Sequence, residues 1–157
     1  MAADLNYGIE ISSTQHQRDN CISEVYHNPA ASSQKPVYQW DEIMRYDETP
    51  AQQGLCPPEW HVPTEAEWNT LFVYFTSNGF AGSPLKYSGY SGFNALLTGV
   101  NHFNRQGNFN GFATFFWSST AHGSLKAWAH GMNDYNPSVS FYPSLRSNAF
   151  SVRCILD

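Results

Sequence analysis

Apolar residues recur at helical spacing most clearly near the middle of the chain, where Trp68, Leu71, Phe72 and Phe75 fall on one face. The start signals lie just upstream, in Trp60-His61-Val62-Pro63-Thr64-Glu65-Ala66-Glu67-Trp68. Pro63 holds the chain extended. Thr64 can cap, and Glu67 three residues on completes a capping box that satisfies backbone donors of the first turn. Glu65 and Glu67 also favour the positive end of the helix dipole. Asn78-Gly79 is a stop, since both residues tolerate the left-handed conformation that ends helices. The pattern predicts a helix from about Glu65 to Ser77 with its aromatic face under a sheet.

Before this helix, Leu5 to Ile11 predicts a short strand, with Ile9 and Ile11 alternating. Ser12 to Pro36 is polar and punctuated and predicts a long surface loop. Tyr38 to Met44 predicts a first short helix whose inner face is Trp40, Ile43 and Met44. Gln52 to Pro58 predicts a turn. After Gly79, glycines recur among Ser, Asn and aromatics, which excludes a long helix and predicts short strands and compact loops, with Phe93–Leu97 and Phe109–Phe112 as pairing candidates. Period-two patterns then predict strands at Phe115–Thr120, Lys126–Met132, Val139–Tyr142 and Phe150–Leu156, the last pointing Phe150, Val152 and Cys154 one way. Two helices followed by an antiparallel sheet give an α+β class in a single domain over 1–157.

Composition sharpens this. Charged residues are only 13%, while aromatics reach 16%, so the surface must be polar but largely uncharged, and the aromatics are numerous enough for display of Tyr and Trp as on binding surfaces. The net charge of -5 argues against nucleic acid or an anionic membrane as partner. No apolar run reaches membrane-spanning length, so no membrane insertion is expected. Met1 to Tyr7 lacks the basic and apolar regions of a secretion signal, so the expectation is either no export by that route or a chain that is the mature part of something longer. Cys21, Cys56 and Cys154 form no close pair. On counts alone, one long-range disulfide plus a free thiol and three buried thiols stand level.

These landmarks together resemble one family. Leu55-Cys56-Pro57-Pro58-Glu59-Trp60-His61-Val62-Pro63-Thr64-Glu65-Ala66-Glu67-Trp68 is similar to the "CPxGWHVPTxAEW" signature of the Fibrobacter succinogenes major paralogous domain. Phe116-Trp117-Ser118-Ser119-Thr120 resembles its "WWSST" block. Phe150-Ser151-Val152-Arg153-Cys154 resembles its closing "GFSVRC", with Ala149 where Gly is usual. Met1 to Tyr7 resembles its opening "WMAENLNY", and the family's first strand normally precedes this point. That family is in turn similar to the formylglycine-generating enzymes. The resemblance implies a C-type lectin-like fold with two helices, a small sheet holding the termini together and a loop-rich half. It also implies a disulfide between Cys56 and Cys154.

Three functions follow from the resemblance. A copper-dependent formylglycine-generating oxidase needs a reactive cysteine pair near the C-terminus, and no cysteine lies between Cys56 and Cys154. A calcium lectin needs a Glu-Pro-Asn or Gln-Pro-Asp loop followed by Trp-Asn-Asp, and neither occurs; the acids Asp41, Glu42, Asp47 and Glu48 read as a solvated face. The third is a carrier for variable regions made by diversity-generating retroelements, which rewrite adenines and scatter Asn codons. Ala129 to Arg146 holds a mixed set of that kind where the family has an Asn-rich run, between framework residues Trp128 and Phe150. The expectation is a non-enzymatic ligand-binding domain without cofactor or metal, on a bacterial cell surface or phage particle. Its partner would be a surface protein or glycan. The rival is a fixed surface or fimbria-associated adhesion domain. The candidate ligand-binding residues are Ala129, His130, Gly131, Asp134, Tyr135, Ser138, Ser140, Phe141, Tyr142, Ser144, Leu145 and Arg146, with Tyr135, Phe141 and Tyr142 as aromatic anchors. Met132 reads as core.

Overall fold

The computed structural model describes residues 9–11, 24–27, 36–76, 79–87, 89–97 and 112–157. In chain order the elements are β1 (Ile9–Ile11), β2 (Glu24–His27), β3 (Pro36–Gln39), α1 (Trp40–Ile43), β4 (Trp60–His61), α2 (Glu65–Thr76), α3 (Gly82–Leu85), β5 (Ala113–His122), β6 (Lys126–Asn133), β7 (Ser140–Leu145), β8 (Ala149–Phe150) and β9 (Ile155–Leu156). The class is mixed α+β. Among the described residues the strands form three small sheets, ordered β1-β2-β3-β8, β4-β9 and β5-β6-β7. β1 and β2 pair in parallel and every other named pair is antiparallel.

The long helix forms where its signals place it. The Thr64 hydroxyl accepts from the Glu67 backbone N–H at 3.2 Å, and the Glu67 carboxylate accepts from the Thr64 N–H at 2.8 Å, so the capping box is closed both ways. Trp68 is fully buried, and Leu71, Phe72 and Phe75 pack partly buried beside it. The first helix is shorter than its pattern suggested. Tyr38 and Gln39 belong to β3, because Tyr38 pairs with Phe150 and Gln39 with Ala149, leaving one turn for α1. The loop expected over Ser12 to Pro36 contains β2, held between β1 and β3 by backbone pairing that local composition does not report. Phe93–Leu97 contributes a single bridge, Lys86 to Ala95. The pairing expected at Phe109–Phe112 lies outside the described residues except for Phe112, as does Cys21.

Two aromatic cores lie on opposite faces of β5-β6-β7. One gathers Tyr38, Trp40, Ile43, Val62, Trp117, Ala127, Ala129, Phe150 and Val152. The other gathers Trp68, Leu85, Phe93, Phe116 and Met132 under α2. The Phe116–Thr120 segment ties them together. Trp117 donates its indole N–H to the Tyr38 carbonyl at 2.8 Å, and its own carbonyl accepts from Trp68 Nε1 at 3.3 Å. Ser118 accepts from Trp40 Nε1 at 2.8 Å through its carbonyl, and Thr120 Oγ1 accepts the Glu65 N–H at 3.0 Å. Arg153 is buried with its guanidinium 4.1 Å from the Phe93 ring, a cation–π contact within the second core.

The closing segment is not one strand. β8 pairs with β3, Ser151 bridges to Phe116, and β9 pairs with β4, so the chain passes from one sheet to another within a few residues. Cys56 and Cys154 are joined, as the resemblance implied, with a sequence separation of 98. Closing a loop of that length stabilises the fold by about 4 to 5 kcal/mol on the chain-entropy argument.

Candidate functional site

β6 is the middle strand of its sheet. His130 sits opposite Phe116 on one side and Phe141 on the other. Its ring lies under α2, with centroids 5.0 Å from both Trp68 and Phe72. It is 1% exposed. The Glu65 carboxylate comes down from the first turn of α2 to bring Oε2 within 2.9 Å of His130 Nε2. The contact is not aligned as a hydrogen bond, so that oxygen and both ring nitrogens lack a hydrogen-bond partner among the described residues. Beside this pair a cleft of ≈ 280 Å³ opens between α2, the Phe80-Ala81 segment and the start of β7. Glu65, Phe72 and His130 line its inner part. Val73, Phe80 and Phe141 also line it and are exposed by 60%, 57% and 63%. Asn69, Thr76 and Ser138 supply the remaining polar lining.

The loop from Asp134 to Val139 borders this cleft and is pinned in place. Lys86 Nζ donates to the Asn133 and Asn136 carbonyls at 3.0 and 3.2 Å, and the Ser83 N–H donates to the Pro137 carbonyl at 3.0 Å. Gly82 allows the close approach, because a Cβ there would stand 2.6 Å from the Pro137 oxygen. The Asn133 and Asn136 side chains accept from the Asn136 and Ser138 N–H groups and fix the turn. At its tip Tyr135 is 80% exposed and stacks on Phe112 with centroids 6.0 Å apart.

Residues 4–156 match the Fibrobacter succinogenes major domain. The chain belongs to that family. No curated protein and no solved structure matches it.

Within this Fibrobacter succinogenes major domain the sequence-predicted binding residues divide sharply. Asp134, Tyr135, Ser140, Phe141 and Leu145 are exposed, and Ser138 is half-buried in the cleft wall. Five others are corrected. Ala129 is fully buried in the first core. Gly131 is buried, and a side chain there would meet the Phe115 ring at 2.5 Å. Ser144 is buried and accepts a hydrogen bond from Asn148 at 2.8 Å. Arg146 is 7% exposed: its guanidinium lies 4.2 Å from the Trp40 ring centroid, donates to the Gly123 carbonyl at 3.0 Å and pairs with Glu48. It clamps the β5–β6 turn to the core rather than offering a charge to solvent. His130 is sealed as well, and reaches the cleft only as its inner wall. The aromatic anchors are also separated. Tyr142 sits on the face of β7 opposite Phe141, against the Phe115 ring at 5.6 Å, and burial pushes its phenol well above the ordinary value.

Sequence reasoning missed Glu65, Phe72, Val73 and Phe80. Locally Glu65 reads as a helix-dipole residue and Phe72 as part of the buried helix face, and Val73 and Phe80 belong to no pattern the sequence offers. The acidic group behaves as structure: Asp41 and Glu48 pair with Arg146, and Glu42 accepts from the Tyr46 hydroxyl at 2.6 Å. Among the described residues no three potential ligands gather for a metal.

A second polar cluster serves the frame. His61 Nδ1 lies 2.5 Å from Asp157 and Nε2 lies 2.9 Å from Glu67. Burial pulls the His61 pKa down, but hydrogen bonds and charge from Asp157 and Glu67 outweigh it and hold the value above that of an ordinary histidine. Burial likewise opposes ionisation of Glu67, and is outweighed by the Thr64 and His61 hydrogen bonds, which hold it below the usual carboxylate range.

Proposed function

We propose that this domain is a non-enzymatic ligand-binding module of C-type lectin-like architecture, displayed on a bacterial cell surface or phage particle and varied by a diversity-generating retroelement. The observation that carries the reading is the cleft beside β7. It joins exposed Phe141 and half-buried Ser138 from the suspected variable segment to exposed Val73 and Phe80 from outside it. An apolar recess ringed by exposed hydrophobic residues marks interaction sites on soluble domains. The ligand surface is then smaller than the sequence suggested: Asp134, Tyr135, Ser138, Ser140, Phe141 and Leu145. Residues Ala129, Gly131, Ser144 and Arg146 belong to the frame. The non-enzymatic reading rests on the sequence between Cys56 and Cys154, which holds no further cysteine; copper-dependent oxidation of a cysteine-containing peptide by this protein would overturn it.

Binding to an array of glycans and bacterial surface proteins tests the site. Phe141→Ala should weaken any specific signal at least tenfold, about 1.4 kcal/mol, and an unchanged signal removes the cleft from the argument. Comparison of several copies of the domain from one organism separates variable display from a fixed adhesin. Differences confined to the six surface positions support the retroelement; no such concentration favours the fixed form.

A further inference from the structure

We infer that the cleft receives a single basic side chain of a partner protein, arginine or lysine, with Glu65 as its counter-charge; this rests on the ligand-binding reading above. Size sets the first limit. At ≈ 280 Å³ the recess stands at the small end of the roughly 300–1,000 Å³ range of ligand pockets and has room for one protruding side chain. Charge sets the second. Among the described residues Glu65 is the only acidic one in the lining and no Lys or Arg lines the recess, and the chain carries -5 overall. The Glu65 side chain is about a third exposed, so it is open to a ligand on one side while its other oxygen faces His130. His130, held between Trp68 and Phe72, lies against the inner oxygen of that carboxylate. Phe72, Phe80 and Phe141 supply what a basic side chain needs besides charge: apolar wall for its methylene stem and aromatic rings that attract cations. A carboxylate and a ring system in one cleft discriminate a cation from a neutral group of the same shape.

The test titrates N-acetyl-arginine amide into isotope-labelled protein and follows backbone amide signals, with the neutral citrulline counterpart as its match in shape. The arginine probe should saturate at a Kd of about a millimolar, the range open to a ligand of that size, and should shift His130 and Phe141. The citrulline probe should bind at least ~10-fold more weakly. Glu65→Gln should bring the arginine probe down to the citrulline level, while Glu59→Gln, at an exposed carboxylate outside the lining, leaves it unchanged. Equal affinity for the two probes, or no shift with either, overturns the inference. Array binding that depends on Phe141 but ignores Glu65→Gln would likewise remove the cation while leaving the ligand-binding function standing. Array binding insensitive to both would remove both.

Discussion

β6 and β7 lie side by side in one sheet and differ in what they permit. β6 is central, with β5 and β7 on its edges, α2 over His130 and Met132, and the first core behind Ala127 and Ala129. β7 is the edge, and Ser140, Phe141 and Leu145 are exposed along it. The register sets Gly131 against Ser140, His130 against Phe141 and Ala129 against Tyr142. In each pair the β6 residue is buried and its β7 partner is more open. Position in the sheet decides which residues can vary, because a central strand covered on both faces has no outward side.

The comparison breaks first at Ala129. Ala129→Asp drives an unpaired carboxylate into the core and should cost about 4 kcal/mol or prevent folding. Phe141→Asp on the neighbouring strand should stay within about 1 kcal/mol in denaturant unfolding. Equal losses would mean that β7 is as constrained as β6.

Gly131→Val should cost about 3 kcal/mol by overpacking against Phe115, whereas Ser140→Ala, its partner in the register, should shift stability by about 0.5 kcal/mol or less. A thermal melt of each variant reads the contrast.

The far end of β7 sharpens the comparison. Arg146→Ala removes the stack on Trp40 and the bond to the Gly123 carbonyl and should cost about 2 kcal/mol. Leu145→Ala, exposed beside it, should be close to neutral. Comparable effects would place Arg146 on the solvent-facing side of β7 after all.

The smallest effect belongs to the frame. The folded pKa of His61 is raised, so its contribution is fully present below the unfolded value and is lost as pH rises through the folded one. The folded pKa of Glu67 is lowered, so its contribution is present above the unfolded value and is lost as pH falls through the folded one. The two overlap most at about pH 5 to 6.5. The stability advantage over His61→Gln should be largest near pH 5.5 and smaller by about 1 kcal/mol near pH 8.5. A pH-independent gap would show that His61 acts by packing alone.

Much of this was legible because it is local. Thr64 and Glu67 close their capping box across three residues, and Trp68, Leu71, Phe72 and Phe75 meet the second core through one helical period. The strands at β5, β6 and β7 follow alternation that survives any particular packing. The candidate site was legible only in part. Alternation along Lys126–Met132 suggested one inward and one outward face, and that inference fails when a helix covers one face and a second core the other. Arg146 read as a surface charge because nothing near it in sequence announces Trp40, which is 106 positions away.

The sequence by itself determined the family, the capped helix, the late strands and the aromatic-rich, charge-poor composition, since these rest on residue counts, short-range periodicity and motifs that keep their order. Only the tertiary structure decided which half of Ala129 to Arg146 reaches solvent and brought Glu65, Val73 and Phe80 to the same recess as Phe141. The physical reason is that burial and cleft formation depend on which distant surfaces meet, and the residues at those meetings carry no local sign of it.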